Sequence, residues 1–204
     1  MEEFLKFVEY KHIHALIQQL RLRKAINLLE ILIEYQPEVR RWYELRLICS
    51  SMKPNMGEFK ILHQIIQHKF PGTSMAWMAK ALFPGVKIHL AKTALHTAMK
   101  IDTQNPYINY FLAKTYLYLE NYPQALRYSD RCLKLDPNFH LAYLIRIECH
   151  RCMGNIPHQI RDIFYVNCLM PGINMKRLYD ELLDELNRSS NSSNTLPPQV
   201  DNST

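Results

Sequence analysis

PYINYFLAKTYLYLENYPQALRYSDRCLKLDPNF, residues 106–139, carries two helical runs and the break between them. Apolar residues recur at helical spacing up to Leu119, and Asn121 and Pro123 then interrupt the run. A second run extends from Gln124 to Leu135 and is stopped by Asp136-Pro137. Small Ala113 and Ala125 stand where the two helices must approach closely, and overpacking such a contact costs about 1–3 kcal/mol. The preceding stretch repeats the pattern: Lys-Ile-Asp-Thr (100–103) and Lys-Leu-Asp-Pro (134–137) are 34 positions apart. At that offset Ala91, Leu95, Ala98 and Ile101 fall on Ala125, Ser129, Cys132 and Leu135. Met78, Ala79 and Leu82 likewise fall on Leu112, Ala113 and Tyr116. A fixed period of this size marks stacked helical hairpins, each too small to bury its own apolar face.

Residues 106–139 resemble the tetratricopeptide repeat. Leu112-Ala113 stand at the family's Leu-Gly pair, Tyr116 at its aromatic, and Tyr122, Ala125 and Cys132 on the inner face of its second helix. Leu135-Asp136-Pro137 closes the unit, while Asn109 replaces the usual Trp and Ala113 the usual Gly. Neighbouring units keep the phase with fewer matches. Residues 72–105 keep Trp77, Ala79, Ala91, Ala98 and Asp102; residues 140–173 keep Gly154-Asn155 and Pro171, with Gln159 in place of the small Ala. Residues 6–39 keep Ile13, Ala25, Leu29, Leu32 and Pro37, and residues 40–71 form a shortened unit with Trp42, Leu45 and Pro71. The resemblance implies an all-α, right-handed α-solenoid of about five tetratricopeptide-like hairpins.

A solenoid needs its open end covered. Asn174 reads as the N-cap of a further helix over 174–187, with Met175, Leu178, Leu182 and Leu186 in one apolar stripe. The expected domain therefore spans 1–187. The tail 188–204 is rich in Ser, Asn and Pro and poor in aliphatic residues, the composition of a disordered segment.

With 48% hydrophobic residues and no apolar run near the ~20 residues of a membrane span, the chain reads as folded and soluble. Five Cys behind an acidic, amphipathic start (MEEFLKFVEY) point to free thiols and to the cytoplasm, with the nucleus as the other reducing compartment. The net charge of +6 concentrates in the middle repeats: residues 61–139 carry nine Lys/Arg against four Asp/Glu. Such a bias favours an acidic partner, though a solvated basic face that aids solubility gives the same count.

In the family, the first helix of each hairpin lines a concave groove. The resemblance then implies a partner-binding face of Tyr10, His14, Lys80, Phe83, Tyr110, Lys114, Leu117, Glu148 and Arg151. Lys80, Lys114 and Arg151 would pair acidic groups, and Phe83 and Tyr110 would anchor apolar ones. The competing reading packs both rings between neighbouring hairpins. The Lys/Asn/Lys/Arg carboxylate clamp of the chaperone-binding members is missing, since Tyr10, His14, Ala76, Phe111, Leu141 and Ile145 occupy its positions. An RNA-reading helical array would need a polar pair repeated at a fixed position, which is absent, so nucleic acid is disfavoured.

Catalytic and metal signatures are missing. Cys149-His150-Arg151-Cys152 offers one C-x-x-C inside a helix, without the second ligand pair of a structural zinc site. His12 and His14 point to different faces of one helix, and no phosphate-binding loop, nucleophile elbow or H-E-x-x-H is present. The expectation is a non-catalytic adaptor, scaffold or chaperone without cofactor or metal, holding an acidic protein or peptide segment in its groove. The alternative is a structural subunit gripped through convex or end surfaces, which Phe4 and Phe7 would suit.

Overall fold

The computed structural model describes residues 2–52 and 55–169, with Met175 and Leu182, and for residues 2–9 the backbone alone. The described residues form ten helices and no strand. They are α1 (Glu2–Gln18), α2 (Leu22–Tyr35), α3 (Arg40–Met52), α4 (Met56–Lys69), α5 (Ser74–Ala81), α6 (Ile88–Ile101), α7 (Pro106–Tyr118), α8 (Tyr122–Leu135), α9 (His140–Cys152) and α10 (Ile156–Leu169). Each odd-numbered helix packs on the next as a hairpin, and each hairpin packs on its successor. Phe4 and Phe7 lie outside the described side chains, as do most of the expected cap 174–187 and the whole tail 188–204. Of the cap, Leu182 is buried with Ile147, Ile163 and Val166, and Met175 packs on the same cluster.

Short polar signals place the helix ends. Asn55, Thr73, Asn105 and Asn121 each accept a hydrogen bond from a first-turn N–H of the helix they precede. Pro106 and Pro123 stand in first turns, where a missing N–H costs nothing. Pro84 ends the third hairpin's first helix early, leaving α5 only 8 residues long. Three hairpin turns share one hydrogen-bond pattern. Leu20 N donates to Ile17 O and Arg21 N to Leu16 O; Glu120 N to Leu117 O and Asn121 N to Tyr116 O; Gly154 N to Arg151 O and Asn155 N to His150 O. This closure requires a left-handed residue, and Leu20, Glu120 and Gly154 have φ of 58°, 54° and 67°. Gly fits there without strain; Leu20 and Glu120 do not.

Small buried residues let the paired helices approach: Ala79, Ala91 and Ala98 in the third hairpin, Ala113, Ala125 and Cys132 in the fourth. Between hairpins, each junction also carries a polar link. Arg46 of α3 reaches Glu30 on α2 and Glu58 on α4, at 3.2 and 3.1 Å. Gln67 donates to the Ala76 carbonyl, and His96 meets the Tyr116 hydroxyl at 3.0 Å. Arg146 of α9 joins Asp130 on α8 and Asp162 on α10, both at 3.0 Å. Arg46 and Arg146 thus staple the two ends of the array in the same way. Asp162, however, has a fully buried carboxylate, whereas Glu30 and Glu58 remain largely exposed. Burial pushes the Asp162 pKa up, against the pull of Arg146 and Arg161.

Two stability tests follow from this geometry. Arg146→Ala should cost about 3–5 kcal/mol in urea unfolding, because it strands a buried carboxylate, and adding Asp162→Asn should recover part of the loss. Arg46→Ala should cost clearly less. Glu120→Gly should raise the melting temperature by about 2–4 °C, the shift expected for relieving about 1 kcal/mol of left-handed strain.

Candidate functional site

The first hairpin reaches beyond its neighbour. His14 Nε2 lies 3.4 Å from Asp136 Oδ2, across 122 residues of chain. Its ring stacks on Tyr10 at 5.8 Å and meets Tyr107 and Phe139 edge-on at 5.6 and 6.2 Å. The Arg41 guanidinium sits 4.3 Å over the Tyr10 ring. Nearby, Asn105 Nδ2 donates to the Glu44 carboxylate while its Oδ1 accepts from Tyr107 N. The first and second hairpins therefore touch the start of the fourth and the loop before the fifth. Tyr10, Arg40, Arg41, Glu44, Asn105 and Tyr107 surround a hollow of about 240 Å³ there.

Burial dominates the electrostatics of this seam. It lowers the His14 pKa, although Asp136 opposes the shift. Glu44 is raised by burial against the Asn105 hydrogen bond, and the nearby Asp102 carboxylate adds to the rise. The Tyr107 hydroxyl, also raised by burial, finds no hydrogen-bond partner among the described residues. Imidazole and phenols are thus held neutral. The seam closes the array; it presents no activated nucleophile.

The other predicted groove residues divide into two groups. Lys80 holds its ammonium 4.3 Å over the Trp77 ring, and Lys114 holds its own 5.9 Å over Tyr118; neither makes an ion pair among the described residues. Phe83 instead packs edge-on against Phe59 and His63 of α4, at 5.9 and 5.1 Å, between the second and third hairpins. Tyr110 is only 7% exposed and lies against Phe111 and Phe139. Both rings take part in packing between hairpins, Tyr110 buried and Phe83 half-buried. Leu117 is half-buried on the same core. Arg151 spends its guanidinium on Glu148, with contacts of 2.8 and 2.5 Å. Tyr10 and His14 are brought together, as are Glu148 and Arg151, but Lys80, Lys114 and Arg151 make no mutual contact. Sequence reasoning missed Arg41, Glu44 and Asn105, since no local pattern announces a contact such as Asn105 with Glu44, 61 residues apart.

Cys149 is buried, and burial pushes its thiol up to about 12, far from a reactive thiolate. Cys152 is exposed beside Glu148. No group of three or more His, Cys, Asp or Glu with metal-binding geometry occurs among the described residues, and no described helix is long and apolar enough to cross a membrane.

No family model and no curated protein matches the sequence. Solved structures do match its shape. A chain of the APC/C hetero-tetramer Cut9–Hcn1 superposes with a TM-score of 0.69 at 18% identity, over 76% of this chain and 30% of that one. The thermophilic tetratricopeptide protein TTC0263 of Thermus thermophilus gives 0.60 at 13% identity, over 86% and 97% of the two chains. A tetratricopeptide repeat protein from Parabacteroides merdae gives 0.51 at 15% identity, over 91% and 75%. The chain has the tetratricopeptide-repeat fold. It spans less than a third of the matched chain of the Cut9–Hcn1 assembly.

Buried and half-buried histidines make acid stability a direct readout. Burial lowers His14, His96 and His140, and His150 is held down at about 4 by burial together with His158, Arg146 and Arg161. Unfolded histidines titrate near 6.5, so below that value the unfolded chain takes up protons that the folded chain refuses. Stability should therefore fall as pH drops from about 6.5 toward about 4. Glu44 and Asp162, both raised by burial, act in the opposite sense, since the folded chain takes up their protons before the unfolded chain does. Urea midpoints measured at about pH 7, 6 and 5 should decline, and more shallowly in His150→Gln. A flat profile would contradict the burial of these rings.

Proposed function

We propose that this chain is a non-catalytic interaction scaffold that holds a carboxylate-bearing protein segment along the first helices of its third and fourth hairpins. The supporting observation is the contrast among cations. Arg46, Arg146 and Arg151 are each engaged by an acid, whereas Lys80 and Lys114, 34 residues apart on first helices, each lie over an aromatic ring and make no ion pair among the described residues. A ring fixes the ammonium without neutralising it, so the charge stays available to a carboxylate. Tyr10 and His14 are already engaged with Tyr107, Phe139 and Asp136, which favours the later hairpins as the place of contact.

A second reading, a structural subunit held by convex or end surfaces, is favoured by exposed apolar side chains on α2 and α4. Ile31 and Tyr35 are 62% and 71% exposed, and Leu28 and Ile61 are exposed on the same two helices. The Cut9–Hcn1 hetero-tetramer places the same fold within an assembly.

Linear peptides selected by display on the native protein separate the two readings. The groove reading expects Asp- or Glu-bearing peptides whose affinity drops by about tenfold or more in Lys80→Glu/Lys114→Glu, with helicity unchanged by circular dichroism. Affinity indifferent to that double reversal would refute it.

A further inference from the structure

The charge excess of the middle repeats lies chiefly on second helices. Five of the nine Lys and Arg in residues 61–139 belong to α6 and α8: Lys92, Lys100, Arg127, Arg131 and Lys134. α6 has no acidic residue, and the one acid within α8, Asp130, is occupied by Arg146 at 3.0 Å. Arg127, Arg131 and Lys134 follow one another at i, i+4 and i+7, so they form a single stripe. With Tyr128 and Asp130 they line a shallow hollow of about 460 Å³.

A ring cluster adjoins the stripe. Tyr116 and Tyr128 stack with centroids 5.4 Å apart and planes 6° from parallel, and His96 meets both edge-on at 6.1 and 6.0 Å. Its Nε2 is bonded to the Tyr116 hydroxyl at 3.0 Å, and the Lys92 ammonium lies 6.0 Å over the Tyr116 ring. Lys92 and Lys100 both hold down protonation of His96, after burial, and Arg127 acts on Tyr116. Positive charge thus surrounds a rigid, partly exposed aromatic centre.

We infer that the α6–α8 face is a second docking surface, independent of the first-helix lysines, for a carboxylate-rich segment of a partner protein. Charge complementarity names the sign of the occupant, and the rings decide its class. A single-stranded nucleic acid binds by stacking bases on open aromatic faces. Here Tyr116 and Tyr128 stack on each other, His96 is bonded at their edge, and Lys92 stands over Tyr116. What remains is a row of cations at helical spacing, which suits an acidic helix laid alongside α8.

Fluorescence anisotropy of a labelled peptide of about twenty residues, with Glu and Leu at helical spacing, tests this against a labelled oligouridylate of about the same length. The expected result is salt-sensitive peptide binding that weakens at least about tenfold in Lys100→Glu/Arg127→Glu/Lys134→Glu. The Gln version of the same three positions should also weaken it, guarding against misfolding of the reversed form, which circular dichroism checks. With the groove silenced by Lys80→Glu/Lys114→Glu, the peptide should still bind, and adding the three α6–α8 reversals should still weaken it at least about tenfold, which separates this surface from the groove. The proposal is overturned if the peptide does not bind, if the α6–α8 variants bind it normally, if the groove variant alone abolishes binding, or if the oligouridylate binds more tightly than the peptide.

Discussion

No hairpin in this chain can bury its own apolar face, and that constraint governs the rest of the structure. Each gains burial only by stacking on the next, so the core is a continuous strip from Ile13 in α1 to Cys149 in α9. Close approach within hairpins depends on residues that are small by necessity, among them Ala79, Ala98, Ala113 and Ala125, all fully buried. The left-handed turn at Leu20, Glu120 and Gly154 fixes how the second helix folds back onto the first. Polar links then join each hairpin to the next, and Arg146 also pairs with the buried Asp162 inside the last hairpin.

A nearest-neighbour stack need not touch itself at long range, yet this one does. His14 with Asp136, and Asn105 with Glu44, tie the beginning of the array to its fourth hairpin and the loop beyond. The closure uses polar and aromatic contacts, with Tyr107 buried and His14 and Glu44 half-buried. Lys80 and Lys114 of the first helices make no ion pair among the described residues, and five further cations lie on α6 and α8.

Local features were legible in the sequence for reasons that are themselves local. The period of 34, the break at Asn121 and Pro123 and the stop at Asp136-Pro137 are written in the chain itself, so the helices can be read directly from them. The function of single side chains was harder to read. Phe83 and Tyr110 have a first-helix spacing compatible with either face, and only the structure shows that they pack against Phe59 and Phe139. Arg151 looked like a free cation because Glu148, one turn earlier, was counted as a groove residue and not as its partner. The charge excess was visible as a count, but its placement on second helices depends on which face each residue presents.

Closure of the array rests on one contact above all, that of His14 with the rings and carboxylate around residues 107–139. Nuclear Overhauser spectroscopy on protein with labelled histidine and aromatic rings reads it directly. Cross-peaks from the His14 ring to both Tyr107 and Phe139 are expected, given centroid separations of 5.6 and 6.2 Å. A spectrum in which His14 shows only Tyr10 and its own helix would mean an open solenoid, with the first hairpin free to receive a ligand.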